Sequence, residues 1–267
     1  MTRFVLGLAV LIACNPAFAQ NAQTVTVRNL TLVNLTQVPV EDYQHIVQFV
    51  LDNKDIPATP DVIPNRVRYA LQERGYFRAE VGDAATTIVS ENPTEKVVDV
   101  AVRVNPGSIY KLEMLGFGGN KAFDVFSAEQ LRSHFPISPG EVFNTEKVRV
   151  GLDNLRKLYA DEGYINFTPA PTTEVVEELK GIFLQINLDV GVRYYFGELE
   201  NLPLKPEAMQ AMVTDWSSLK GKPYSPTELE EFMKQHSEFW PTGFQFDRNV
   251  GIHEDLKTHT VNVQPVL

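Results

Sequence analysis

The strongest constraint on the fold of this 267-residue chain is a helix-ending pattern that recurs at the spacing of small domains. Each copy is a stretch of helix-forming residues that ends in a glycine and continues directly into an aromatic residue. The glycines are Gly75, Gly163 and Gly243, which lie 88 and 80 residues apart. Glycine after a helix adopts the left-handed conformation that closes the last turn. Intervals of this size indicate tandem domains and are too long for a solenoid repeat.

A second pair of matched features precedes the later two glycines. Gly140 and Gly221 each stand in a turn that leads, through an aromatic residue, to a polar residue suited to the start of a helix. That residue is Asn144 in one copy and Ser225, followed by Pro226, in the other. Asn and Ser side chains cap the first backbone amides of a helix, and proline fits its first turn. The sequence therefore predicts helix starts at these two positions.

Alternating apolar residues follow the glycines and predict strands. The valines at positions 98, 100, 102 and 104, for example, indicate a strand with one buried face. The predicted strand pairs are residues 77–90 with 97–104, 165–176 with 182–190, and 243–251 with 259–267. A further strand opens each unit, at residues 25–33, 110–115 and 194–199, and helices over residues 41–53 and 61–74 complete the first unit.

These elements predict an α+β fold of three units, each in the order β-α-α-β-β. In each unit a three-stranded mixed sheet carries two helices on one face, which gives two layers around one core. The predicted units are residues 20–107, 108–191 and 192–267. With the last strand in the centre of the sheet, the strand that follows the Gly-aromatic pair lies at an edge.

The first 19 residues have the layout of a cleaved secretory signal peptide. Arg3 supplies a basic start, residues 4–13 are apolar, and Ala17 and Ala19 are the small residues that a signal peptidase requires. The apolar run is too short to span a bilayer. Cys14, in the sequence Leu-Ile-Ala-Cys, offers an alternative, in which this cysteine is lipidated and becomes the mature N-terminus. Both routes predict export to the periplasm.

Composition and residue spacing argue against several classes of function. The net charge of −10 disfavours nucleic-acid binding, which needs a basic surface. Cys14 is the only cysteine, and cleavage after Ala19 leaves no thiol for a disulfide, a cysteine-ligated metal or cysteine catalysis. The five histidines do not pair at metal-ligand spacing. We therefore predict no catalytic residues, no metal and no cofactor, with an enzyme of unrecognised site as an alternative.

Three stretches of the sequence resemble the POTRA domains of the Omp85 superfamily. They are the Leu-Gly-Phe-Gly-Gly-Asn run at residues 115–120, Tyr159 with Gly163 and Tyr164, and the Tyr-Tyr-Phe-Gly-Glu run at residues 194–198. The resemblance covers nearly all of the residues after the predicted signal peptide. Omp85 proteins usually carry a membrane β-barrel of roughly eight or more strands after their POTRA domains. The sequence ends within the third unit, so we expect a chain that lacks this barrel.

The resemblance implies a scaffold that binds other polypeptides. An extended partner adds to the open edge of a POTRA sheet, because an edge strand has unpaired backbone groups. We therefore predict β-augmentation at two edges, which consist of Tyr76, Phe77, Arg78, Ala79, Glu80 and Val81 and of Tyr164, Ile165, Asn166, Phe167 and Thr168. The implied partners are unfolded outer-membrane polypeptides or an outer-membrane barrel or assembly complex, met in the periplasm beside the outer membrane. A structural tether in an envelope or cell-division complex is the alternative.

Overall fold

The computed structural model describes residues 23–52, 58–119, 123–200, 202, 204–243 and 245–265. The predicted signal peptide, with Cys14, lies outside the described residues. The chain divides into two compact units. The first comprises the described residues of Met1–Val67 and Val81–Val104, and the second comprises Arg68–Glu80 with the described residues of Asn105–Leu267.

In the described part of the chain the strands form three sheets of three strands, and we call each sheet with its helices a module. The first module contains β1 (Thr24–Val33), α1 (Val40–Leu51), α2 (Ile63–Gln72), β2 (Glu80–Glu91) and β3 (Glu95–Asn105). The second contains β4 (Lys111–Gly118), α3 (Ala128–Ser133), α4 (Thr145–Ala160), β5 (Thr168–Val176) and β6 (Gly181–Asp189). The third contains β7 (Tyr195–Leu199), α5 (Pro206–Trp216), α6 (Pro226–Gln235), α7 (Phe246–Asn249), β8 (Val250–Asp255) and β9 (Thr260–Pro265).

The last strand of each module lies in the centre of its sheet. The strand orders are β1-β3-β2, β4-β6-β5 and β7-β9-β8. The first strand of each module pairs in parallel with the central strand. In the second and third modules the other edge strand pairs antiparallel with it. The predicted α+β fold of three mixed sheets is therefore confirmed, and so is the edge position of β2, β5 and β8.

The alternating apolar residues of the central strands face the cores. In β3 the buried side chains are Val98, Val100, Val102 and Val104, and in β6 they are Ile182, Leu184, Ile186 and Leu188. In the second module Leu155 and Tyr159 of α4 pack in the same cluster as the β6 side chains. Removal of this apolar surface from water is the main stabilising contribution to each module.

Both predicted helix starts are confirmed. Asn144 precedes α4, and its side-chain oxygen accepts a hydrogen bond from the Lys147 amide at 2.8 Å. Ser225 precedes α6, and its hydroxyl oxygen accepts one from the Glu228 amide at 3.1 Å. Each cap satisfies an amide that has no partner within its helix.

The predicted strand over residues 243–251 is wrong in its first part, because residues 246–249 form the short helix α7. The Asn249 amide donates to the Gln245 carbonyl oxygen at 2.8 Å and closes one helical turn. The Gln245 amide in turn donates to the side-chain oxygen of Asn249 at 2.8 Å. These reciprocal bonds keep the turn helical, so β8 begins only at Val250, which is buried.

The third copy of the helix-ending pattern also departs from the prediction. Helix α6 ends at Gln235, and a 3-10 turn, Ser237–Phe239, follows it. The buried ring of His236 fixes this early end, because its two nitrogens lie 2.8 Å from the Phe232 carbonyl oxygen and 3.0 Å from the Asp215 carboxylate. Gly243 therefore lies in a later turn, away from the end of the helix.

Candidate functional site

The predicted binding segments lie in two copies of one turn, the first before β2 and the second before β5. Of the predicted residues, those inside a strand are Glu80, Val81 and Thr168. In the first turn the Ala79 amide donates to the Tyr76 carbonyl oxygen at 3.0 Å. In the second the Phe167 amide donates to the Tyr164 carbonyl oxygen at 3.0 Å. Because these bonds hold the chain in a turn, the predicted strand starts at residues 77 and 165 are corrected to Glu80 and Thr168.

The apolar side chains of these turns pack inside the molecule. Tyr76, Ala79 and Phe167 are buried. The ring of Phe77 meets that of Phe143 edge to face, with 5.4 Å between the ring centroids. Ile165 packs against the core of the third module. The aromatic residues of the two segments thus act first as packing residues.

Polar side chains of the same turns bond to neighbouring elements. Arg78 forms an ion pair with Glu177 at 3.0 Å, and Asn166 donates to the Glu254 carboxylate at 3.1 Å. Glu177 also accepts a hydrogen bond from the Tyr110 hydroxyl at 2.8 Å. Burial, reinforced by this bond, raises the pKa of Tyr110, whereas the hydrogen bonds from Lys180 and Tyr110 lower the pKa of Glu177. Glu177 is therefore held as a carboxylate that ties the first turn to the second module.

Gly163 forms a close joint between the second and third modules. Its carbonyl oxygen accepts a hydrogen bond from the Tyr194 amide at 2.8 Å. A Cβ atom on Gly163 would lie 2.5 Å from the Tyr194 carbonyl oxygen, and the φ angle of Gly163 is +89°. Only glycine fits this position, since any side chain would meet backbone.

The same joint recurs at Gly75, inside the second compact unit. The Gly75 carbonyl oxygen accepts a hydrogen bond from the Tyr110 amide at 2.8 Å. A Cβ atom on Gly75, where φ is +85°, would lie 2.4 Å from the Val142 side chain. The segment Arg68–Glu80 therefore packs on the second module as the end of the second module packs on the third.

Polar contacts reinforce both joints at the start of the following module's second helix. The Asp161 carboxylate accepts hydrogen bonds from the Ser225 hydroxyl at 2.7 Å and from the Thr227 amide at 3.1 Å. At the first joint the Asn144 side-chain amide donates to the Glu73 carbonyl oxygen at 2.6 Å. A carboxylate at a helix N-terminus is stabilised by the unpaired amides there. At Gly163 the Gly-aromatic pattern thus marks a joint between the second and third modules, a role beyond the helix end that the sequence predicts.

The edge of β5 is poorly suited to pairing with another strand. Residues 168–172 read Thr-Pro-Ala-Pro-Thr, and Pro169 and Pro171 lie opposite Leu188 and Ile186 of β6. Two residues apart, both prolines present their backbone to the same side of the strand. Proline has no N–H and fits an edge strand only where that side faces away from the neighbour. The free edge of β5 therefore lacks two donors, which hinders the addition of a partner strand.

Other edges are interrupted or short. The pairing registers of β1, β4 and β7 shift between Val27 and Asn29, between Leu112 and Met114, and between Phe196 and Leu199. Such irregularities disturb the row of backbone groups that a partner strand needs. β8 has six residues. Together with β5, these edges offer little continuous backbone to a partner.

The edge of β2 is long and uninterrupted by proline. β2 has twelve residues, all but two of them exposed. Ile88 and Val89 are 52% and 40% exposed, and as successive residues they lie on opposite faces of the strand. Since none of its residues is proline, each keeps its backbone N–H, and the apolar side chains on both faces offer contacts to an extended partner.

The described residues offer no evident metal-binding group. Among them, no cluster of three or more His, Cys, Asp or Glu side chains is placed to hold a metal ion. His253 is exposed in the edge strand β8, and Glu254 beside it is half-buried and accepts a hydrogen bond from Asn166. No described helix has the length and apolar character needed to cross a membrane.

Comparison with known proteins places this fold among POTRA domains. Residues 110–191 match the POTRA family, described as a surface antigen variable number repeat. These residues cover the second module from Tyr110 to Gly191. The chain thus contains a POTRA domain, as the resemblance in the sequence predicts.

Two relatives extend the comparison. The outer membrane protein assembly factor BamA of Buchnera aphidicola subsp. Acyrthosiphon pisum (strain APS) is 24% identical over 122 residues. This match covers 45% of the present chain and 19% of that protein, so most of the length of the relative has no counterpart in the match. The crystal structure of Haemophilus influenzae BamA POTRA3-5 is 16% identical and superposes with a TM-score of 0.59, over 90% of this chain and 94% of that one. The latter likeness establishes the tandem POTRA fold.

Proposed function

We propose that this chain is a non-catalytic periplasmic scaffold that binds extended polypeptides during outer-membrane protein assembly, by β-augmentation at β2. Its partners are unfolded outer-membrane polypeptides or an outer-membrane assembly complex. The POTRA domain and the likeness to an outer membrane protein assembly factor support this role. Residues 1–19 serve as the export signal in this proposal.

The observation that carries the proposal is the open edge of β2. The strand has twelve residues without proline, and every residue from Ala85 to Glu91 is exposed. Main-chain hydrogen bonds to such an edge give affinity for any extended chain, and the side chains on either face give selectivity. Glu80 and Val81 belong to this strand and stay among the proposed binding residues.

The second predicted edge, at the start of β5, contributes less to the proposed binding. Thr168 opens β5, but Pro169 and Pro171 remove donors from the half of the strand that follows it. Of the turn residues, Ile165 packs against the core of the third module, whereas Tyr164 and Phe167 pack in the core of the second. Polypeptide capture at β5 is therefore restricted to the residues from Thr172 onward.

A charge-substitution experiment tests the proposed edge. The double variant Ile88→Lys and Val89→Lys places a charge on each face of β2, where lysines discourage the addition of a strand. We expect it to bind a urea-denatured outer-membrane β-barrel protein, diluted into buffer, about tenfold more weakly than the unchanged chain, which corresponds to about 1.4 kcal/mol. Binding is measured by fluorescence anisotropy of the labelled polypeptide.

Leu179→Lys is the matched control. Leu179 is 59% exposed at the tip of the β5–β6 hairpin, so this variant adds one positive charge, against two in the double variant, at a similarly exposed apolar residue outside β2. We expect its affinity to stay within twofold of the unchanged chain. Equal affinities for the β2 variant and the unchanged chain, with circular dichroism spectra that agree, would exclude β2 as the binding edge.

A further inference from the structure

A hollow of about 350 Å³ lies on the sheet of the first module next to the β2 edge. It is lined by Val33 of β1, Ala101 and Arg103 of β3, and Gly82, Asp83 and Ala85 of β2. In β3 the side chains of Val100, Val102 and Val104 are buried, so those of Ala101 and Arg103 point to the opposite face of the sheet. The hollow therefore opens on the face away from the core, where none of the module's described helices packs.

The floor of the hollow is made of small residues. Gly82, Ala85 and Ala101 stand on adjacent strands, where β-branched and aromatic residues are usual. Each of them has either no side chain or a single methyl group, so it covers little of the backbone of the sheet. Small residues at these positions contribute little to sheet stability, so their grouping leaves a recess that a side chain from outside can fill.

The hollow is lined by an apolar, a cationic and an anionic side chain, those of Val33, Arg103 and Asp83. Val33 is 39% exposed and pairs in register with Arg103 across β1 and β3. The two side chains share the open face, because paired residues of neighbouring strands point the same way. An arginine beside an apolar recess suits the face of an aromatic ring, which attracts cations and also buries a large apolar area.

We propose that this hollow receives an aromatic side chain from the polypeptide strand that adds to β2. The inference rests on the proposed function, since it requires the partner strand to lie along β2. The partner strand would lie about 5 Å from β2, with every second side chain on the open face of the sheet. An aromatic side chain on that face is long enough to extend across Asp83 and Ala85 toward Ala101. The hollow thus selects, among extended polypeptides, those with an aromatic residue at one outward position.

Two labelled ten-residue peptides test this selection. Both alternate Thr and Val and end in Lys for solubility, and they differ in one central residue, which is Phe in one peptide and Ala in the other. We expect the Phe peptide to bind the full chain about tenfold more tightly than the Ala peptide, because its ring is buried in the hollow. Fluorescence anisotropy measures both affinities.

Two variants separate the hollow from the edge. Ala101→Leu fills the floor of the hollow from inside, and we expect it to reduce the preference for the Phe peptide to less than twofold without weakening the Ala peptide. Thr31→Leu is the matched control, because Thr31 is the exposed β1 partner of Ala101 in register and lies outside the hollow. It should leave the preference near tenfold.

The possible outcomes distinguish the aromatic site in the hollow from polypeptide capture at β2. Equal binding of both peptides to the unchanged chain overturns the aromatic site and leaves capture at β2 intact. A preference for Phe that survives Ala101→Leu places the ring elsewhere and also overturns the site. Binding of neither peptide overturns capture at β2 itself, and the double variant Ile88→Lys and Val89→Lys, tested with the Ala peptide, separates that failure from the failure of the hollow.

Discussion

Replacement of Gly163 by alanine should destabilise the chain by about 3 kcal/mol, as the sum of a backbone and a steric effect. The φ angle of Gly163 is +89°, which residues with a side chain adopt only at a cost of about 1 kcal/mol. The new Cβ atom would also lie 2.5 Å from the Tyr194 carbonyl oxygen, a backbone atom held by a hydrogen bond from the Tyr224 amide at 3.0 Å. Relief of that contact requires the second and third modules to separate.

Gly140→Ala is a closely matched control for this prediction. Gly140 has a φ angle of +90°, but no atom lies within 4 Å of the position that its Cβ would occupy. It should therefore lose only the backbone contribution, about 1 kcal/mol. Urea unfolding followed by circular dichroism measures both, because this signal reports on the helices and strands of every module, whereas both tryptophans of the chain, Trp216 and Trp240, lie in the third module. Equal losses in the two variants would contradict the close joint at Gly163.

Replacement of Tyr159 by alanine should cost about 4 kcal/mol of unfolding free energy. Its side chain is fully buried and stacks on the ring of Phe167, with 4.0 Å between the ring centroids and an angle of 4° between the planes. The ring of Phe126 meets it edge to face at 5.1 Å. Loss of the ring removes these aromatic contacts and leaves a cavity at the centre of the second core.

Tyr159→Phe separates packing from the hydroxyl group. Burial raises the pKa of Tyr159 to about 12, so the phenol stays neutral across the range in which the protein would be studied. The phenylalanine variant keeps the ring and should lose about 1 kcal/mol or less. Thermal and urea unfolding, followed by circular dichroism, measure both variants. A loss below about 1 kcal/mol for Tyr159→Ala would mean that the ring does not organise this core.

The central position of the last strand in each sheet is what the resemblance to POTRA domains implies, and the sequence itself predicts the order of the elements. It does so because each strand that is buried on one face alternates strictly, as in β3 and β6, and because Asn144 and Ser225 are strong helix caps. Alternation says nothing about where a strand begins next to a turn. The strand starts predicted at residues 77 and 165 are therefore wrong by three residues. The turn hydrogen bonds donated by the Ala79 and Phe167 amides have no counterpart in the alternation of apolar and polar residues.

The candidate site is only partly readable from the sequence. Pro169 and Pro171 are visible in the sequence, and proline lacks the N–H that a partner strand needs. These two residues alone therefore favour β2 over β5 as the binding edge. The hollow beside β2 cannot be predicted from the sequence. It depends on Gly82, Ala85 and Ala101 meeting across two strands, and their meeting is fixed by strand register, which alternation does not specify.

The joints also depend on pairs of residues that are far apart in the sequence. Gly163 indicates a helix end in the sequence, but its contact with Tyr194 joins residues from two modules. A glycine at a helix end and a tyrosine at the next strand start recur together at Gly75 with Tyr110. This paired recurrence is the signal by which the joint could have been inferred.

Hydrogen exchange at β2 tests the central claim most directly. The full chain is compared with and without an excess of a denatured outer-membrane β-barrel protein, and amide exchange is followed by mass spectrometry. We predict that residues 84–91 of β2 exchange about tenfold more slowly with the polypeptide bound, because a partner strand bonds their outward amides, while the Ala170 amide of β5 does not change. Binding of the polypeptide with unchanged exchange at β2, or with protection confined to β5, would contradict the account.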